Sequence, residues 1–283
     1  MFDNLGDILT LLHQASQQPL PQPPLDAFRL RVFCSDFRAA RRWIWRALER
    51  SPAAFHLRCD NDDPLAYLRE KWPSFPDLVL HRHGGAYMCR LRTVHLSGLT
   101  LSSDFVDKVT ASPVLEELHL EDCRYEFCRL ASRSLKKLFM NRCGPEYLTG
   151  TLVLAVPRIV SLRINGRRSS LPVTLEGEMP SLVTASLAHW AGDLGFLCSL
   201  HHARSLDLSG FSATALLVDD EPQDDGPVFR NLRTLVLNAC DLGAEGQVLR
   251  RFLRNAPGLE TLTLRDCTFA GGSGSGSKKR KRT

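Results

Sequence analysis

Eight side chains recur in one short phrase, and their chemistry is that of anion recognition. Arg29, His56, His95, His119, Phe139 and Arg163 each stand between two apolar residues, and Arg31 and Arg58 follow two positions later. A strand residue between two core-facing neighbours points to the opposite side. The spacing therefore predicts one exposed wall, continued by Ser186, Asp207, Val236 and Thr263. Its first half is rich in Arg and His; its second half is nearly neutral. A guanidinium holds carboxylate or phosphate through two parallel hydrogen bonds. Several such groups on one surface create a local positive field, and Phe139 would add an apolar anchor. The pattern fits an acidic or phosphorylated protein segment held between Arg29 and Arg163. It fits equally a row of solvated strand residues that bind nothing.

Other chemistry is not indicated. There is no Gly-rich phosphate loop and no G-x-S-x-G elbow, so no residue is assigned a catalytic role. His81, His83, Cys89 and His95 are clustered, but their spacing matches no zinc pattern. No metal or cofactor is expected. The net charge of +5 equals the contribution of Lys278, Lys279, Arg280, Lys281 and Arg282. The body is thus neutral, which argues against nucleic acid as a partner. That basic run, after a Gly/Ser spacer, matches a nuclear-localisation pattern or a merely solubilising terminus. Nine cysteines are an odd number. Cys123, Cys143, Cys240 and Cys267 occupy one slot that Leu99, Trp190 and Phe211 fill elsewhere. Such a slot is buried packing, and the cysteines read as free thiols of a reducing compartment. With no basic leader and no long apolar run, a monomer in the nucleus and/or cytoplasm is expected, without membrane contact.

The elements that carry the wall come from a repeat, L-x-x-L-x-L. Its clearest copies are Leu115/Leu118/Leu120, Leu232/Leu235/Leu237 and Leu259/Leu262/Leu264. Others centre on Phe28, Phe55, Val94, Leu138, Leu162, Ala185 and Leu206, with a doubtful one at Leu78. Most steps are roughly 20–29 residues, the leucine-rich-repeat period. The last two apolar positions point to one side of a strand, and only stacked neighbours can bury that side. The predicted fold is α/β: a leucine-rich-repeat solenoid with a curved parallel sheet on its concave face and helices and loops on its convex face. Leu262 and Leu264 are expected in the buried spine with the other leucines. Residues 1–24 read as an N-terminal cap or linker, 25–270 as the repeat domain and 271–283 as spacer and tail. A helix is predicted from Phe37 to Arg50, capped by Ser35-Asp36, with Phe37, Ala40, Ile44, Ala47 and Leu48 inward. A second is predicted over Gln247–Asn255, with Val248, Phe252 and Leu253 on its inner side.

The stretches PPLDAFRLRVF, AARRWIWRALERSPAAFHLRC, LRTVHLSGLTLSSDFVDKV, SPVLEELHLEDCRYEF and SRSLKKL resemble the region after the F-box in plant, especially grass-type, F-box/leucine-rich-repeat proteins. The resemblance is specific from Leu25 to Cys143 and looser to Cys267. It implies a non-enzymatic substrate receptor of an SCF-type ubiquitin ligase: the F-box holds a Skp-type adaptor and the repeats select a protein substrate. Only 24 residues precede Leu25, and DNLGDILTLL echoes an F-box opening without the rest of the module. The expectation is a chain truncated at its N-terminus or a product lacking the adaptor-binding part. The adaptor then binds only if an F-box lies upstream. A stand-alone repeat scaffold without a ligase is the second reading.

Overall fold

The computed structural model describes residues 23–61, 72–75, 89–110, 112–146, 150–166, 172–188, 194–211, 228–243 and 246–269. Ten strands form one path: β1 (Ala27–Phe33), β2 (Ala54–Asp60), β3 (Thr93–Ser97), β4 (Glu117–Glu121), β5 (Lys137–Pro145), β6 (Ser161–Gly166), β7 (Thr184–Ala188), β8 (Ser205–Ser209), β9 (Thr234–Asn238) and β10 (Thr261–Arg265). Each pairs in parallel with the next in chain order. The fold is therefore α/β with a large, open parallel sheet.

Alternation decides which face is core. Leu118 pairs with Val94 and Leu138, and Leu120 with Leu96 and Met140, all of them buried. The same register carries Leu162, Leu206 and Leu235 in one row and Ile164, Leu208 and Leu237 in the other. Full burial of one such side chain stabilises by about 1.5–3 kcal/mol. β2 bonds directly to β3, so the doubtful copy at Leu78 adds no strand between them; Leu78 itself lies outside the described residues.

The turn after each strand explains the cysteine slot. Asp122, Ala239 and Asp266 are left-handed, with φ of 50°, as is Gly98 at 71°. The N–H of Asp122 donates to Asn141, that of Ala239 to Arg265 and that of Gly98 to Glu121, so the ladder survives the turn. The residue after Gly98, Asp122 or Ala239 drops into the core, whereas Cys267, expected to be buried in this slot, is only partly so. The thiol lies 3.5 Å from the Leu96 carbonyl for Cys123 and 3.4 Å from the Leu208 carbonyl for Cys240. Cys fits because it is small, apolar and a weak donor. Leu99 and Phe211 fill the same slot and are buried.

On the other side of the core, α1 (Phe37–Glu49) follows β1 and buries the five predicted residues. Asp36 makes no side-chain capping bond; a 3-10 turn, Cys34–Asp36, leads into the helix instead. α2 is Ser103–Thr110, α3 is Leu194–Cys198 and α4 is Gln247–Asn255. In α4, Leu253 is exposed and Asn255 is buried in its place, because the inward stripe follows the helical period from Val248 to Phe252 to Asn255. Between β4 and β7 the outer layer also contains strands. Arg129–Ala131, Leu152–Ala155 and Val173–Leu175 form a separate parallel sheet.

Burial fails at one end. Leu262 and Leu264, expected in the spine, are 38% and 40% exposed. β10 has a described neighbour on one side only, β9, so its leucines meet half of the usual packing.

Gly98 offers a test of the turn. A Cβ there would stand 2.1 Å from the Cys59 carbonyl oxygen, whereas at Gly177, φ 83°, it would meet nothing within 4 Å. Gly98→Ala should destabilise by about 3 kcal/mol or more and Gly177→Ala by about 1 kcal/mol. Urea midpoints measure both. Equal losses would mean that close approach is not what requires glycine at 98.

Candidate functional site

The register places the predicted column in a single row. Arg29 pairs with His56, His56 with His95, His95 with His119, His119 with Phe139 and Phe139 with Arg163. All six lie on the face opposite the leucines. The rings touch as a ladder, with centroids 4.2 Å apart for His56–His95, 3.9 Å for His95–His119 and 5.5 Å for His119–Phe139. The Arg163 guanidinium closes the row 5.3 Å from the Phe139 ring, a cation–π distance. A groove of about 450 Å³ opens beside the ladder, lined by Arg29, Arg31, His56, Arg58, His95, Ser97, His119, Glu121 and Phe139.

The charge of this face differs from the expected one. Burial first, then neighbouring Arg29 and His119, push the His56 imidazole below its ordinary value. Burial likewise lowers His119, with Glu117 opposing. His95 is pushed down to about 4, mainly by burial and then by the other two imidazoles. At neutral pH the histidines therefore add stacking surface, not charge. Two of the arginines are also committed. Arg31 and Arg58 both hold Asp60, Arg58 at 2.7 Å through Nε. Burial would raise the Asp60 carboxyl, but these two guanidinium groups outweigh it and hold the carboxyl low. Arg29 and Arg163 have no carboxylate partner among the described residues. Arg31 and Arg58 share one carboxylate and so keep one net positive charge, to which Arg29 and Arg163 add theirs at the two ends of the row.

Sequence spacing missed Asp60, Glu117 and Lys137; Glu121 stands in the spacing column itself, two positions beyond His119. Glu117 precedes His119 by two residues, so the alternation alone could have placed it on the same face. Its Oε1 accepts a hydrogen bond of 2.6 Å from Lys137, which holds its carboxyl below the usual range against the cost of burial. Its Oε2 lies 3.7 Å from His119 Nε2. His95, Glu117 and His119 bring one ligand-type atom each within 4.8 Å of one another. This is not the grouping the sequence offered: His81 and His83 lie outside the described residues, and Cys89 is exposed. Lys278, Lys279, Arg280, Lys281 and Arg282 also lie outside them, as do residues 1–22 of the expected N-terminal cap or linker.

A scan against protein-family models matches none. A comparison with curated proteins finds a similar sequence, and it is a plant F-box protein, in line with the resemblance. The relative is the meiotic F-box protein MOF of Oryza sativa subsp. japonica, 33% identical over 302 residues. The match covers 96% of this chain and 59% of MOF, so the chain spans well under two thirds of that protein's length.

The lowered imidazoles carry a sign for stability. The unfolded chain takes up protons first as pH falls below 6.5, the ordinary histidine value. Stability is then fully present above pH 6.5 and is lost on acidification toward the folded values, about 4 for His95. Melting temperature should fall between pH 7 and pH 5 in chelator-treated buffer. His95→Gln, which cannot titrate, should flatten that slope. Parallel slopes for the two proteins would sink the assignment.

Proposed function

We propose that this chain is the partner-selecting part of an F-box protein acting in SCF-type, ubiquitin-dependent protein turnover. In this reading the array is a leucine-rich-repeat solenoid, one strand per copy, and the ladder face is its concave surface. The observation that carries the proposal is the unbroken row from Arg29 to Arg163, on a chain related along nearly its whole length to an F-box protein. The partner is a protein segment with acidic or phosphorylated groups. Arg29 and Arg163 take its anions, Phe139 and the stacked imidazoles take apolar or planar groups, and Arg31 and Arg58 act as a pair braced on Asp60. A Skp-type adaptor binds only if an F-box lies upstream in the gene product. The role is recognition without catalysis, by a monomer. A scaffold of the same kind, working without a ligase, is the second reading, and the presence of an F-box upstream in the transcript separates the two.

Proximity labelling in plant tissue, with and without proteasome inhibition, should yield a partner that accumulates when the proteasome is blocked. Replacing Arg58, Phe139 and Arg163 together by alanine should weaken that partner's binding by about tenfold or more, the scale of a few interface anchors. Replacing Arg41 and Arg42, exposed on α1, should leave it unchanged. A triple variant that melts normally and binds as before would remove the site. A partner that binds but does not accumulate would favour the scaffold reading.

The basic tail is proposed as a nuclear-entry signal. Alanine at Lys278, Lys279, Arg280, Lys281 and Arg282 should move a fluorescent fusion toward the cytoplasm. An unchanged distribution would leave the tail a plain terminus.

A further inference from the structure

The geometry points to a divalent transition-metal site, best suited to Zn²⁺, formed by His95, Glu117 and His119 at the centre of the ladder. It adds a function to this face that neither the likeness to F-box proteins nor partner selection requires.

Three facts carry it. First, the backbone fixes the triad. Glu117 and His119 are alternate residues of β4 and share a face, and His95 is the register partner of His119 across the β3–β4 pair. Second, the Nε2 atoms of both imidazoles are buried and have no hydrogen-bond partner. The 3.7 Å from His119 Nε2 to Glu117 Oε2 is too long for a hydrogen bond. Two buried ring nitrogens left without partners side by side are uncommon. A cation accepting both lone pairs would resolve them together. Third, the spacing is close to that of a ligand set. Zinc bonds to imidazole nitrogen and carboxylate oxygen are about 2.0–2.2 Å, so ligand atoms around a tetrahedral ion stand about 3.4 Å apart. The three atoms here lie within 4.8 Å of one another, a gap that small side-chain rotations close.

The ligand types choose the ion. Two imidazoles and one carboxylate suit zinc or a neighbouring first-row metal, and disfavour calcium and magnesium, which take oxygen. Lys137 holds the other oxygen of Glu117 at 2.6 Å, orienting the carboxylate as an outer partner does in metal sites. Three protein ligands leave a position for water or for an oxygen of a docked molecule.

The test uses the full chain, chelator-treated and kept reduced, titrated with Zn²⁺ by calorimetry and with Co²⁺ by visible absorption. One equivalent should bind, with a Co²⁺ spectrum lacking thiolate charge-transfer bands, since the nine cysteines are the competing ligands. Glu117→Gln and His119→Gln keep size and polarity, and circular dichroism checks that they fold. Each should weaken binding by more than about 100-fold, beyond the 10–100-fold typical of losing an outer partner. His202→Ala, at a histidine pair outside the ladder, should bind as the parent does. Failure to bind, a thiolate spectrum, or affinity unchanged in both Gln variants would each overturn the site. None of these outcomes depends on whether the partner of the ladder face has been found.

Discussion

The register of the parallel ladder is the constraint on which the rest of this structure depends. Side chains alternate with a period of two, so a slip of one residue in any pair would send its leucines to solvent and its polar residues inward. Leu118 opposite Val94 and Leu138, and His119 opposite His95 and Phe139, are two results of one choice. The core and the candidate site cannot be specified separately. Packing of Leu and Ile on one face draws the imidazoles, Phe139 and Arg163 into line on the other.

That coupling explains why so much of the fold was legible. The L-x-x-L-x-L phrase names the core rows, the slot residues and the exposed column together, and α1 followed from its apolar spacing. Interactions between repeats were less legible. The strands Arg129–Ala131, Leu152–Ala155 and Val173–Leu175 are short, and each pairs only with its own neighbours; their sequences alternate too briefly to separate them from loops. Leu262 and Leu264 carry the full signature yet stay exposed, because burial belongs to a neighbour and not to the phrase. A glycine could have marked the left-handed turn at Gly98, but no one residue type marks those at Asp122, Arg142, Ala239 and Asp266.

The candidate site was legible as a list of residues and not as an electrostatic surface. Spacing counted arginines and histidines as charges. In the fold, each imidazole lies against another ring and loses water, which disfavours its charged form. Asp60 follows β2's last apolar residue, and nothing in the repeat phrase announces that it will hold both Arg31 and Arg58. Glu121, in the lining of the groove, accepts from Asn141 at 3.1 Å and lies near Arg142. Much of the charge of the face is paired, largely across strands, at separations that sequence distance hides.

The two unpaired guanidinium groups then set the dimensions of any segment that engages both. Arg29 and Arg163 are separated by five strand intervals, about 24 Å at 4.8 Å each. One carboxylate or phosphate cannot span that distance. An extended segment advances about 3.3 Å per residue, so it needs anionic groups about seven residues apart. Between them it would cross rings rather than charges, and Arg163 already lies over Phe139. A planar or apolar side chain beside the second anion would therefore be favoured over a third negative charge. If the ladder holds its partner as proposed, it would select by the interval between anions and by what lies between them, more than by the partner's total charge.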